Sequence, residues 1–260
     1  MRRLHPAAAT GFASAAEVYE RARPSYPQDS IDWLVAQTGL GPGRTALDLA
    51  AGTGKLTRLL LPTGARVVAV EPIAEMRAYI EGAEVLDGTA EAIPLPDASA
   101  DVVTVAQALH WFDQDRALPE IHRVLREDGR LVLFWNMRDL DDPIQRGVED
   151  LLGPMRADVP GQILGAWREP LARSALFGPA TVGEFRYEQQ FTTDDLCDRV
   201  ASTSFVAALP AVDREVLLVR VRALTHGLAE PFAFPYKTEV HVIPRSSDRD
   251  ENERGTSIKG

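Results

Sequence analysis

Gly52 and Gly54 lie between an apolar run, "TALDLA" (45–50), and a leucine-rich segment that reads as a helix, "KLTRLLL". Glycine in a strand-to-helix turn has no Cβ, so the backbone can approach a bound molecule closely. The first N–H groups of the following helix lack intrahelical partners and add donors at the same place. Asp48, inside the apolar run, is placed to fix the turn by accepting backbone N–H groups. Nineteen positions after Gly52, at the end of a second apolar run, "RVVAVE" (66–71), stands Glu71. A carboxylate there can accept both hydroxyls of a ribose.

Three nucleotide chemistries compete for this turn. A phosphate-cradling loop requires glycine at position 49 and Ser or Thr at position 56, and both positions are leucine. That reading fails, and Lys55 is then expected to be a solvated helix residue. A dinucleotide fingerprint requires a third glycine where Thr57 stands. A nucleoside bound without phosphate needs only the first two glycines. A second constellation is "HWF", His110 to Phe112, at the end of a later apolar run. His110 is a candidate general base, a group that orients the substrate or contacts a cofactor, or a helix-capping histidine. Trp111, Phe112 and Trp135 are candidates for an apolar substrate wall or for plain core. His5, His122, His226 and His241 show no metal-ligand spacing, and no metal site is expected.

Strand-like and helix-like segments alternate from residue 45 to 136, the pattern of a parallel sheet covered by helices on both faces. The expected strands are 45–50, 66–71, "EVLDG" (84–88), 101–109 and 130–136. Between them, "IAEMRAYIEGA" and "QDRALPEIHRVLREDG" are expected to be helical, with Pro119 in the first turn of the latter. Upstream, Asp29 or Ser30 is expected to cap a helix built on Ile31, Leu34 and Val35 and ended by Gly39. Beyond residue 140, "DDPIQRGVEDLLGPM", "QILGAWREPLARSAL", "TDDLCDRVAS" and "VDREVLLVRVRAL" read as helices. "TVGEFRYEQQF" (181–191) and "YKTEVHVI" (236–243) alternate as strands. Ligands of such sheets bind outside the C-terminal strand ends, where the strand order reverses.

With these motifs in order, the stretch from Tyr19 to Asn136 resembles a class I S-adenosylmethionine-dependent methyltransferase. "VYERARPSYP", "LDLAAGTGKLT", "VVAVEPIAEMRAYI", "LDGTAEAIPLPDASADVVTVAQALHWF" and "EIHRVLREDGRLVLFW" carry the resemblance. It is similar to the small-molecule branch that includes trans-aconitate and ubiquinone or menaquinone biosynthesis methyltransferases. The resemblance implies a Rossmann-like, doubly wound α/β fold: a seven-stranded, mostly parallel sheet with an antiparallel last strand, and a helical cap over the C-terminal strand ends. The expected organisation is an N-terminal arm or lid (1–28), a cofactor-binding core (29–137), a helical cap (138–180), a C-terminal part of the core with a helical insertion (181–243) and, from its charged, apolar-poor composition, a disordered tail (244–260).

S-adenosylmethionine is the implied cofactor and S-adenosylhomocysteine its product. Ala50, Gly52, Thr53 and Gly54 would wrap the methionine part, Glu71 the ribose, and Pro72 with Met76 the adenine flank. Thr89, Ala90 and Glu91 match the adenine-edge segment, with Thr89 where the family often has Asp. Ala106 and Gln107 match the strand end that meets the ammonium group. Tyr19 and Arg23 resemble residues that close over the cofactor, Arg23 as partner of its carboxylate. Tyr26, His110, Trp111, Phe112, Trp135 and Asn136 are expected on the acceptor side. The alternatives are a nicotinamide-dependent oxidoreductase and a sulfonium-binding module or cyclase without methyl transfer.

The remaining sequence bounds these readings. The chain has 260 residues and 45% hydrophobic residues, enough for a sizeable core. Its formal net charge of −10 argues against non-specific nucleic-acid or anionic-membrane binding and leaves room only for a local basic groove. The single cysteine, Cys197, permits no intrachain disulfide or cysteine-based zinc cluster. The small-residue N-terminus lacks the apolar centre of a signal peptide. A small-molecule substrate, a cytoplasmic location and a monomer or homodimer are expected.

Overall fold

The computed structural model describes Glu20, residues 23–155, Gly165 and residues 167–246. Seven strands form one sheet in the order β3-β2-β1-β4-β5-β7-β6. They are β1 (Thr45–Leu49), β2 (Arg66–Val70), β3 (Glu84–Leu86), β4 (Ala100–Ala106), β5 (Leu125–Arg138), β6 (Thr181–Phe191) and β7 (Phe232–Pro244). β1 to β5 pair in parallel, and β7 runs antiparallel to both β5 and β6. This is the expected fold class. Strand order reverses at β1, between β2 and β4.

The central strands are largely apolar because both faces are covered. Side chains alternate between two cores. Leu47, Leu49, Val68 and Val70 enter one, together with Leu118, Ile121 and Val124. Ala46 and Val67 enter the other, together with Ile31, Leu34, Leu56 and Leu60. Those partners come from helices α1 (Gln28–Thr38), α2 (Lys55–Leu60) and, after the short α3 (Ala74–Arg77), α4 (Gln114–Val124).

A third core lies past the C-terminal ends of the strands. It joins Val148 and Leu152 of α5 (Pro143–Leu152) to Leu196, Cys197 and Val200 of a later helix, and to Phe191, Phe232 and Phe234 at the strand ends. The short α6 (Arg168–Arg173) follows α5 before β6. Between β6 and β7 come α7 (Thr193–Ala201), α8 (Ser204–Ala207) and α9 (Ala211–Leu224). Thr192 caps α7 through a reciprocal capping box with Asp195. Helices from both insertions thus share one core at the end of the sheet where ligands of this architecture bind.

Several local expectations are corrected. α1 begins two residues earlier than a cap at Asp29 allows: Pro27 holds the N-cap position, Asp29 lies in the first turn, and the buried Ser30 hydroxyl donates to the Pro27 carbonyl. Pro119 lies inside α4, not in its first turn. α4 gives way to β5 at Leu125, which pairs with Ala100. The helix expected over 73–83 is only Ala74–Arg77, because tighter bonds, Tyr79 N–H to Met76 O and Ile80 N–H to Arg77 O, turn Ile80 toward Gly54. The last strand reaches Pro244, and Ser246 is still buried, its N–H on the Leu176 carbonyl. The rest of the expected tail, residues 1–19 and most of 156–166 lie outside the described residues.

Candidate functional site

β1 ends at Leu49, and the chain leaves the sheet through Ala50 in the left-handed region, φ 57°. β4 ends the same way: Gln107 also has φ 57°. Left-handed backbone is unfavourable for residues with a Cβ and gathers where surrounding structure enforces it, often at ligand sites. Here two such residues stand side by side at the switch in strand order. They part the loops above β1 and β4 and open a crevice of about 600 Å³, its mouth included.

Glu71 ties one wall of this crevice together. Its carboxylate is buried at the end of β2; one oxygen accepts the Gly52 N–H at 2.9 Å and the other the Ile73 N–H at 2.9 Å. Burial pushes the carboxyl above its ordinary range, while those two N–H groups and Arg77 oppose the shift. Each oxygen keeps a further lone pair for another donor. Gly52 carries φ 58°, and a Cβ there would meet only Met76 Sδ, at 3.9 Å. Gly54, at φ 80°, instead packs against Ile80, whose Cγ1 would lie 3.1 Å from an added Cβ. The two glycines therefore do different work: one leaves the cradle open, the other lets the turn pack.

Beneath the turn, Asp48 is almost completely buried and accepts from the hydroxyls of Thr57 at 2.6 Å and Thr104 at 2.9 Å. It fixes the turn chiefly through these side chains and α2, not through the loop N–H groups. Thr57, where a dinucleotide fingerprint needs glycine, is this acid's partner. Burial pushes the Asp48 carboxyl from 3.8 up to about 6. Between those values the folded protein keeps a proton that the unfolded chain has released. Its contribution to stability is complete below the lower value and fades as pH rises through the upper one, a loss of about 3 kcal/mol by neutral pH. Asp48→Asn, which cannot ionise, should flatten the unfolding free energy between about pH 4 and pH 7 by a comparable amount in urea titrations. A variant as pH-dependent as the parent would refute this assignment.

The expected residues divide into groups. Arg23, Tyr26, Ala50, Gly52, Thr53, Ala106, Gln107 and Asn136 converge on the crevice. The Thr53 hydroxyl is buried there with no hydrogen-bond partner. Asn136 holds the N-terminal segment over the opening, its Nδ2 donating to the Ser25 carbonyl at 2.9 Å. Tyr26 packs edge-on against Phe134. Glu71 and Met76 adjoin Gly52, and neither they nor Pro72 and Gly54 are among the residues lining the crevice. Thr89, Ala90 and Glu91 do not line the crevice: the Thr89 hydroxyl is buried without a partner, Ala90 is core, and Glu91 accepts the Asp113 N–H at 3.1 Å. Tyr19 lies outside the described residues.

His110 and its aromatic neighbours form a separate cluster. The His110 ring centroid is 4.8 Å from that of Trp111 and 5.7 Å from that of Trp135. Burial and the nearby Arg23 charge push His110 down to about 4, so it is neutral near pH 7. A histidine so shifted is a poor general base, whose best value lies near the working pH. Trp135 is corrected to a core residue, 1% exposed and stacked on Trp167. Phe112 packs against the same core, and Trp111 is half-buried.

Five crevice residues lie outside the sequence expectation: Pro24, Ala51, Leu56 and two cations, Lys55 and Arg199. Lys55 is not solvated: it lines the crevice, its ammonium 3.6 Å from the Glu20 carboxylate, and burial lowers its pKa. Arg199 reaches the crevice from α7, with its Nε buried and unpartnered. Nothing in "TDDLCDRVAS" marks that arginine, because only the folded insertion brings α7 to the strand ends. Together with Arg23 they make a cationic crevice in a chain of net charge −10. Among the described residues, no group of three or more His, Cys, Asp or Glu is placed to hold a metal ion. No helix among them is long and apolar enough to cross a membrane.

Comparison with known proteins gives concordant results. A family described as a methyltransferase domain matches residues 47–133. An uncharacterized methyltransferase of Mycobacterium tuberculosis is 44% identical over 238 residues, covering 85% of this chain and 91% of its own. A ubiquinone/menaquinone biosynthesis C-methyltransferase of Hahella chejuensis is 38% identical over 117 residues, covering 39% of this chain and 47% of its own. Among solved structures, a protein assigned as a type II methyltransferase from Anaeromyxobacter dehalogenans shares the fold. Its TM-score is 0.65 at 24% identity, covering 85% of this chain and 97% of that one.

Proposed function

Because this chain belongs to the class I S-adenosylmethionine-dependent methyltransferase family, we propose that the crevice above β1 and β4 seats S-adenosylmethionine for methyl transfer to a small-molecule acceptor. The observation that carries this reading is the Glu71 carboxylate, buried and fixed by Gly52 and Ile73, with acceptor capacity left for ribose hydroxyls. The residues present fit the cofactor. Gly52 leaves the turn open, and Thr53, whose buried hydroxyl is unpartnered within the protein, lines the same crevice.

When bound, the cofactor supplies a methyl group on a cationic sulfur; an acceptor lone pair takes the carbon and the C–S electron pair stays on sulfur, leaving S-adenosylhomocysteine. The protein's work is alignment, which can lower a barrier by roughly 7–11 kcal/mol. Glu71 and the 50–54 turn fix the nucleoside end. Ala106 and Gln107 border the ammonium end, and Asn136 closes the N-terminal segment over it through Ser25. His110, held neutral, is suited to hydrogen-bond an acceptor and ill suited to strip its proton. That favours an acceptor already ionised at neutral pH. A screen with isotope-labelled methyl donor over carboxylates, phenols and amines tests this: label in carboxylates supports it, and label only in amines or phenols contradicts it.

Arg199 supplies the cation for the anionic end of a ligand. A hydrogen bond to a charged group contributes about 1.5–3 kcal/mol. Arg199→Gln should therefore weaken S-adenosylhomocysteine binding in calorimetry by roughly 10–100-fold while leaving 5′-methylthioadenosine, which lacks the carboxylate, unchanged. Equal losses for both compounds would contradict the assignment.

A further inference from the structure

Helix α9 is apolar on two opposite faces. Leu217 and Val221 are buried in the third core. On the other side Val212, Val216 and Val219 are 76%, 59% and 58% exposed, and Ala223 continues the line. Their 4-3-4 spacing is the seam spacing of paired helices. Valine is a poor helix former whose branched side chain contributes little on a solvated face, and a contiguous exposed apolar stripe marks an interaction surface.

The flanks of this stripe identify the occupant. Asp213 and Arg220 border one side; Glu215 and Arg222 border the other. When two identical helices pack antiparallel about a twofold axis, each flank meets the same flank of its partner. An axis between Leu217 and Leu218 puts Val216 on the partner's Val219 and Val212 on the partner's Ala223. The same axis sets Asp213 against the partner's Arg220, and Glu215 against the partner's Arg222. All four flank charges are then matched by opposite charges. A parallel pair would instead oppose Asp213 to the partner's Glu215 and Arg220 to the partner's Arg222, acid on acid and base on base. Arg222 already pairs with Asp194 of its own chain and would be shared.

We propose that α9 is a self-association surface, through which two copies of this chain pair antiparallel. A 14-residue helix is about 21 Å long. Two such faces bury less than the roughly 1,600 Å² of a standard interface, so the dimer should dissociate in the micromolar range.

Sedimentation velocity on the full chain from about 2 to about 200 µM tests this. The parent should shift from monomer toward dimer across that range. Val216→Asp, at the centre of the seam, should stay monomeric throughout. Asp213→Arg should weaken the dimer by about tenfold or more, and adding Arg220→Asp should restore it. S-adenosylhomocysteine affinity equal to the parent's will show that Val216→Asp is folded. A parent that stays monomeric throughout, a dimer indifferent to Val216→Asp, or a charge exchange that fails to rescue would each overturn the proposal. None of these outcomes depends on the identity of the methyl acceptor.

Discussion

Glu71→Ala should lower the affinity for S-adenosylhomocysteine by roughly 10²–10⁴-fold in titration calorimetry. The magnitude follows from two hydrogen bonds to an ionised acceptor, each contributing about 1.5–3 kcal/mol. The substitution also releases the Gly52 and Ile73 N–H groups, so the turn loses its anchor along with the ligand contact. Glu71→Gln separates the two effects. It keeps one carbonyl oxygen but turns an NH₂ toward an N–H donor, and should weaken binding by about tenfold. Because burial raises the Glu71 carboxyl, affinity should also fall as the buffer is acidified, at a pH above that of an ordinary glutamate. Affinity within twofold of the parent in Glu71→Ala would remove the ribose assignment.

Gly54→Val should cost about 2–5 kcal/mol of folding stability, a sum of left-handed strain on a branched residue and overpacking against Ile80. For a chain of this size each kcal/mol shifts the thermal midpoint by about 2–4 °C. Gly52→Ala is the counterpart. Its Cβ meets nothing closer than Met76 Sδ at 3.9 Å, so only the strain of φ 58° opposes it, about 1 kcal/mol. Yet that methyl stands where the ligand must approach. The variant should melt within a few degrees of the parent and bind S-adenosylhomocysteine at least tenfold more weakly. The pair thus separates a packing glycine from a cradle glycine by calorimetry and thermal melting. Equal behaviour of the two variants would contradict that division.

The fold was legible wherever apolar runs and breakers coincide. β1, β2 and β6 sit where "TALDLA", "RVVAVE" and "TVGEFRYEQQF" place them, because doubly covered parallel strands are largely apolar and an edge strand alternates. Boundaries slipped where long-range contacts decide them: Ile80 turning to Gly54 shortened α3, and Leu125 pairing with Ala100 ended α4. In the site, the turn and Glu71 are local in sequence and could be read. Asp48 does accept a backbone N–H, that of Thr57, but its hydroxyl partners, Thr57 and Thr104, meet it only once α2 and β4 pack around β1. Arg199 and Lys55 were invisible as site residues. One arrives from an insertion, and the other is buried by an N-terminal segment whose position no local pattern specifies.

The central claim is that adenosine attached to a sulfonium rests on the Ala50–Gly54 turn with its ribose on Glu71. Diffraction from crystals grown with S-adenosylhomocysteine tests it most directly. Both ribose hydroxyls should lie within hydrogen-bonding distance of the Glu71 carboxylate and the sulfur should face the Ala106–Gln107 strand end. A nucleoside bound elsewhere, or an empty crevice at saturating ligand, would contradict the account.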